Sequence, residues 1–182
     1  VGEIRVENGA IASLDFRDSY AVDNYSQPYP RPPWPLRQFM NLDLWVFRDS
    51  NWSPDFTEAV EDALSLYRPG YEVDVDGVIA VDQRAVRVLV EAVGPLNLPD
   101  ADGPVDGESV IAYMRGAWAP EGEEILSRGW WRERKSFMGD LAAAMMNRIR
   151  SGNADWAALA ESGLALVESE DLQVVLFDPI AR

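Results

Sequence analysis

Residues 75–96, VDGVIAVDQRAVRVLVEAVGPL, constrain this chain more than any other stretch. Val78-Ile79-Ala80-Val81 is a short run of apolar, largely β-branched residues, the pattern of a strand covered on both faces. Asp82 then stands where a helix N-cap belongs. Val86, Leu89, Val90 and Val93 follow at helical spacing and predict a buried stripe, and Gly94-Pro95 ends the helix. A strand feeding directly into an amphipathic helix needs other layers to cover both, which predicts an α/β architecture.

The remaining segments fit that class. Ile4 and Val6 alternate with polar neighbours, Asn8-Gly9 supplies a positive-φ turn, and Ala10, Ala12, Leu14 and Phe16 alternate again, so residues 1–16 predict a hairpin. SQPYPRPPWP, residues 26–35, predicts a stiff extended connection, with service as a proline-recognition ligand the lesser alternative. Ser53 is placed to cap a helix with Pro54 at its first position and Phe56, Val60, Ala63, Leu64 and Tyr67 facing the core, stopped by Arg68-Pro69-Gly70. Further helices are predicted around Gly107 to Arg115 with Gly116 closing, from about Trp131 to Arg150 with Phe137, Met138, Leu141, Met145 and Ile149 in register, and around Ala154 to Glu168 burying Trp156, Leu159 and Leu164. Leu172 to Asp178 predicts a closing strand. With no repeat and no long linker, residues 1–182 read as a single layered α/β domain. Val1 runs straight into strand-like sequence without an initiator Met, which points to an excised piece, with a signal or membrane anchor upstream left open.

Charge and missing residue types narrow the chemistry. Sixteen basic against 31 acidic side chains leave a net charge of −15, so general nucleic-acid binding is excluded. Without histidine there is no catalytic triad and no imidazole acid, base or metal ligand. Without cysteine there is no thiol catalysis, zinc cluster or disulfide. Chemistry falls to carboxylates, Arg, Lys135, Tyr, Ser or Thr, around an oxygen-liganded metal if any. No apolar run approaches the ~20 residues that span a bilayer.

Against this acidic background GWWRERKSFM, residues 129–138, gathers Arg132, Arg134 and Lys135 beside Trp130 and Trp131. Arg134 lies three and four residues before Phe137 and Met138, hence on their face of a helix. A cation near a helix start is disfavoured by roughly 0.3–1 kcal/mol, unless an anion joins it there. Phosphate or pyrophosphate suits such a site; an ion pair with Glu123, Glu124 or Glu133 accounts for the same residues. Other arginines stand at element ends: Arg17-Asp18 closes the hairpin, Arg48-Asp49 precedes the Ser53 cap, and Arg115 sits in the last turn of its helix, where it is favourable without any ligand.

The order of IRVENGAIASLDFRDSYAVDN, MNLDLWVFRDSNWSPDF and VDVDGVIAVDQRAVRVLVEAVGPL resembles a bacterial family, domain of unknown function 4012, along nearly the whole chain. More distantly it resembles the LytR–CpsA–Psr family, extracytoplasmic enzymes that move a glycopolymer from a polyprenyl-pyrophosphate carrier to an acceptor with Mg2+. Asp15-Phe16-Arg17-Asp18 is similar to that family's Ile-Pro-Arg-Asp motif, and Tyr113-Met114-Arg115 followed by Arg134-Lys135 to its Tyr-Val-Arg segment and Arg-Gln helix start. Ala117 stands where a second arginine is usual, Lys135 stands for the Gln, and the metal carboxylates lie mostly on a strand upstream of Val1.

That resemblance implies an α-β-α sandwich around a mixed central sheet. It also implies an extracytoplasmic site for a polyprenyl-pyrophosphate-linked or similar phosphorylated glycan donor. Arg17, Arg115 and Arg134 hold the phosphates, Arg48, Arg132 and Lys135 assist, and Asp18 orients an arginine or helps bind Mg2+. Trp118, Trp130 and Trp131 either line the mouth of a groove for the apolar tail or serve as packing. Membrane attachment is expected only through segments outside this chain. The competing expectation is a non-catalytic module of a cell-envelope protein that binds glycan or another protein; a metal-dependent hydrolase is a weaker third.

Overall fold

The computed structural model describes residues 1–67, 74–118 and 136–177. Among these the chain is a mixed α/β structure with two small antiparallel sheets. β1 (Gly2–Glu7) and β2 (Ala10–Phe16) form the expected hairpin. Asn8 and Gly9 both take positive φ, 54° and 77°, as a two-residue turn matched to strand twist requires. A register shift between Arg5 and Val6 marks a bulge. The Val1 ammonium donates to the Arg17 carbonyl and the Arg17 N–H donates to the Val1 carbonyl, both at 2.9 Å, closing the hairpin's open end.

The second sheet pairs β3 (Gly77–Val81) with β4 (Leu172–Leu176). Its strands run antiparallel, since the Asp82 N–H donates to the Asp171 carbonyl at one end and the Phe177 N–H to the Asp76 carbonyl at the other. Gly77 is needed for close approach: a Cβ there would stand 2.5 Å from the Val175 carbonyl oxygen. The expectation that Val78–Val81 is covered on both faces is corrected. Ile79 is 58% and Val81 50% exposed, and Val174 beside Ile79 is exposed as well. A ribbon of two strands has only one covered face here, so alternate side chains are left open.

Contacts divide the chain into two compact units, Val1–Arg17 with Ala80–Gln173 and Asp18–Ile79 with Val174–Arg182. In the first, α4 (Gln83–Val93) carries the expected stripe, with Val90 and Val93 buried. The Asp82 carboxylate caps it by accepting from the Ala85 N–H at 2.8 Å. Gly94, at φ 88°, ends it. The chain then turns back through paired hydrogen bonds between Leu96 and Val105, 2.8 and 2.7 Å long. α5 (Val110–Trp118) starts later than Gly107 and passes through Gly116, because Asp106 and Ser109 build the cap. α6 (Ser136–Arg150) buries Phe137 and Leu141, whereas Met138 is 36% exposed. Its last turn is pinned by Arg148, whose Nε donates to the Val93 carbonyl at 2.7 Å. Val90, Val93, Leu96, Leu98, Val105, Val110 and Leu141 make one core cluster. Burying each such side chain contributes about 1.5–3 kcal/mol.

α7 (Trp156–Glu168) is capped by Asp155, whose carboxylate accepts from the Ala157 and Ala158 N–H groups. That cap sets a phase in which Leu159 packs on the core and Leu166 is buried, while Trp156 and Leu164 are 64% and 68% exposed. The expected burial of those two residues is therefore corrected.

In the second unit, α1 (Ser19–Val22), α2 (Trp34–Met40), a 3-10 turn (Phe47–Asp49) and α3 (Phe56–Tyr67) surround buried Val22, Leu36, Val46, Val60, Leu66 and Tyr67. The Phe47 and Tyr67 rings meet edge to face at 5.2 Å. Ser53 does not itself cap α3. Asp55 does, accepting from the Thr57 and Glu58 N–H groups, so the helix begins at Phe56. The proline run also yields a helix at its end: α2 starts at Trp34 with Pro35 in the first turn, where a missing N–H is harmless. The Arg68-Pro69-Gly70 stop, the helix start at Trp131 and the strand end at Asp178 lie outside the described residues.

Candidate functional site

Arg17 lies at the end of β2. The hairpin register sets Glu3 opposite Asp15, and side chains two apart on a strand share a face. Its guanidinium therefore falls between two carboxylates of its own sheet. Nη2 donates to Asp15 Oδ2 at 2.7 Å and to Glu3 Oε2 at 3.3 Å, and Nε donates to Asp15 Oδ2 at 3.0 Å. Asp18 begins the next unit as the N-cap of α1, its carboxylate accepting from the Tyr20 N–H at 3.0 Å.

Arg48, in the 3-10 turn of the second unit, is held from three sides. Nη1 donates to Asp23 Oδ2 at 2.6 Å and to the Tyr25 hydroxyl at 2.9 Å, and its Cζ lies 4.7 Å from the centre of the Tyr20 ring. The Asp23 side chain is wholly removed from solvent, and its second oxygen accepts from the Phe47 N–H at 3.0 Å. Burial raises the Asp23 pKa above its ordinary value, against the pull of Arg48 and the Phe47 N–H. Asp49 adds a second carboxylate 4.0 Å from Arg48 Nε, and its buried Oδ2 has no hydrogen-bond partner among the described residues. Asp23, Tyr20 and Tyr25 were not singled out from the sequence. The available signal was their spacing in SYAVDNY, which a four-residue helix folds back toward the 3-10 turn.

Arg115, in the last turn of α5, is exposed and has no ion-pair partner among the described residues. It belongs to the same unit as Arg17, whereas Asp18 and Arg48 belong to the other. Arg132, Arg134 and Lys135, with Trp130 and Trp131, lie outside the described residues, and of Trp118 only the backbone is described.

The first unit also holds an open groove of about 600 Å³ along α4, the segment before α5, and α7. Its lining includes Glu91, Glu108 and Asp155 and a single cation, Arg87, three carboxylates against one guanidinium, the wrong balance for a pyrophosphate. Among the described residues no three carboxylates come together to hold a metal ion, and Asp18 is engaged in its cap.

A family model described as protein of unknown function, DUF4012, matches residues 1–117, and the chain belongs to that family. No curated protein and no solved structure matches the chain.

Proposed function

We propose that this member of the DUF4012 family is a non-catalytic binding module of an extracytoplasmic, cell-envelope protein, holding a glycan or another protein. One observation carries the reading. Arg17 and Arg48, two of the cations expected to clamp a pyrophosphate, are each matched by carboxylates of their own surroundings, Asp15 with Glu3 and Asp23. An arginine already neutralised would have to break those bonds before binding a diphosphate, and the stranded acids would then repel it.

A second reading is favoured by Arg115, exposed and without an ion-pair partner among the described residues. In it the chain completes a LytR–CpsA–Psr-like layered sandwich around a mixed sheet. Arg115 with Arg134, Arg132 and Lys135 then holds a polyprenyl-pyrophosphate-linked donor for transfer.

Thermal unfolding with a short-chain prenyl pyrophosphate, with and without Mg2+, separates the two. A binding module shows no stabilisation at about a hundred-fold excess over a micromolar Kd. A donor site gains roughly 2.7 kcal/mol there. That gain, lost on Arg115→Gln or Arg134→Gln, would overturn the module reading.

A further inference from the structure

Residues 24–42 contain no aspartate or glutamate, the longest such stretch in a chain that carries 31 of them. Its only charged side chains are Arg31 and Arg37. Both are exposed and neither has an ion-pair partner among the described residues. Within the stretch, α2 buries Leu36 alone. Trp34, Phe39 and Met40 are 59%, 76% and 62% exposed, and the Trp34 and Phe39 rings meet edge to face at 5.6 Å. Elsewhere the exposed apolar side chains stand among carboxylates: Ile4 and Val6 between Glu3 and Glu7, Trp156 beside Asp155, Ile79 and Val81 between Asp76 and Asp82. Among the described residues, α2 sets three large exposed apolar groups beside two cations, and the nearest acid in sequence is Asp43, three positions past Met40.

The segment before α2 is tied down at several points, although Pro28 and Pro30 themselves are exposed. The Trp45 N–H donates to the Pro30 carbonyl, the Asn24 N–H donates to the Tyr29 hydroxyl, and Pro32 is buried. This fixes the base from which α2 projects Trp34, Phe39 and Met40. A tryptophan, a phenylalanine and a methionine with one arginine before them and one among them match a bilayer interface. There the rings lie at the headgroup level and guanidinium groups meet phosphates. The chain's net charge of −15 does not forbid it, because carboxylates farther than about 8–10 Å from the lipid are screened at physiological salt.

We propose that α2, with Arg31 and Arg37, is an interfacial contact that seats this domain on an anionic phospholipid surface. This goes beyond the binding-module reading and does not depend on it. The test is co-sedimentation of the full 182-residue chain with vesicles of phosphatidylcholine alone or mixed with phosphatidylglycerol. The protein is expected to sediment with the mixed vesicles and less with the neutral ones. Arg31→Gln with Arg37→Gln should weaken partitioning to mixed vesicles roughly 30-fold, about 2 kcal/mol at about 1 kcal/mol per basic residue. Trp34→Ser with Phe39→Ser should weaken it on both compositions. These positions are exposed, and unchanged circular dichroism verifies folding. Wild-type protein left in the supernatant, equal binding to the two compositions, or variants that sediment like wild type would each overturn the proposal. Capture by a proline-recognition domain in place of vesicles would do so too. None of these outcomes bears on the prenyl pyrophosphate measurement.

Discussion

Replacing Arg48 with glutamine tests whether that guanidinium is a structural member or a ligand hook. In the folded chain it neutralises an Asp23 side chain with no solvent exposure, while 28% of its own side chain remains accessible. Removing one partner of a buried pair costs about 3–5 kcal/mol, chiefly through the charge left behind. Partial exposure of Arg48 lowers this, and loss of the Tyr25 hydrogen bond and Tyr20 ring contact restores some of it, so about 3 kcal/mol is expected. In an Asp23→Asn background no charge is stranded and the amide oxygen still accepts from the Phe47 N–H. Arg48→Gln should then cost about 1 kcal/mol, a coupling of about 2 kcal/mol. Urea unfolding followed by circular dichroism supplies the four stabilities. The pH dependence adds a sign. Burial sets the Asp23 pKa above 3.8 in the folded protein, and losing Arg48 lifts it further. Between 3.8 and that raised value the native state binds more protons than the unfolded chain. The variant must therefore gain stability as pH falls through that window. A single variant within 0.5 kcal/mol of wild type, or an equal cost in both backgrounds, would refute the structural role.

Two further outcomes follow from the first unit. Gly94→Ala should destabilise by about 2 kcal/mol in urea unfolding, because φ 88° with ψ 174° is nearly glycine-only backbone and the new Cβ would lie 2.8 Å from Arg148 Nη2. Asp106, its pKa lowered by the Ser109 hydroxyl and then by the Ser109 and Glu108 N–H groups, contributes stability above its ordinary 3.8 that is lost as pH falls through the depressed value. Ser109→Ala should flatten that part of an unfolding-midpoint-against-pH curve, and an unchanged slope would count against the cap.

Elements whose signals are local were legible in the sequence. The Asn8-Gly9 turn and the Asp82 cap with its Gly94 stop each depend on backbone chemistry within a few residues. Burial was less legible. Trp156 and Leu164 are apolar and helical in spacing, yet the helix is held to the core by Leu159 and Leu166, a choice of phase that depends on the opposing helix. The open face of β3 was hidden for a related reason: an apolar run shows that a strand prefers cover, not how many strands flank it. α2 was concealed because proline forbids a helix interior and is harmless in a first turn.

The candidate site was hardest to read because an arginine's availability is a tertiary property. Arg17 and Arg48 both stand before an aspartate in an Arg-Asp-Ser triplet, RDSY and RDSN. In each, the closest carboxylate partner is a different acid: Asp15, two back along a strand, and Asp23, far back in sequence. Identical local sequence thus gives two cations whose charge is settled by strand register in one case and by a folded-back helix in the other. A chain with 31 acids can supply such partners widely, so a rule that assigns anion binding to arginines at element ends will overcount in it. Where acids are missing from the sequence for many residues, as in 24–42, a cation has no such local partner, and there an argument from sequence about an outside anion is strongest. The same reasoning ranks Arg31 and Arg37 above Arg17 and Arg48 as points of contact with a negatively charged surface.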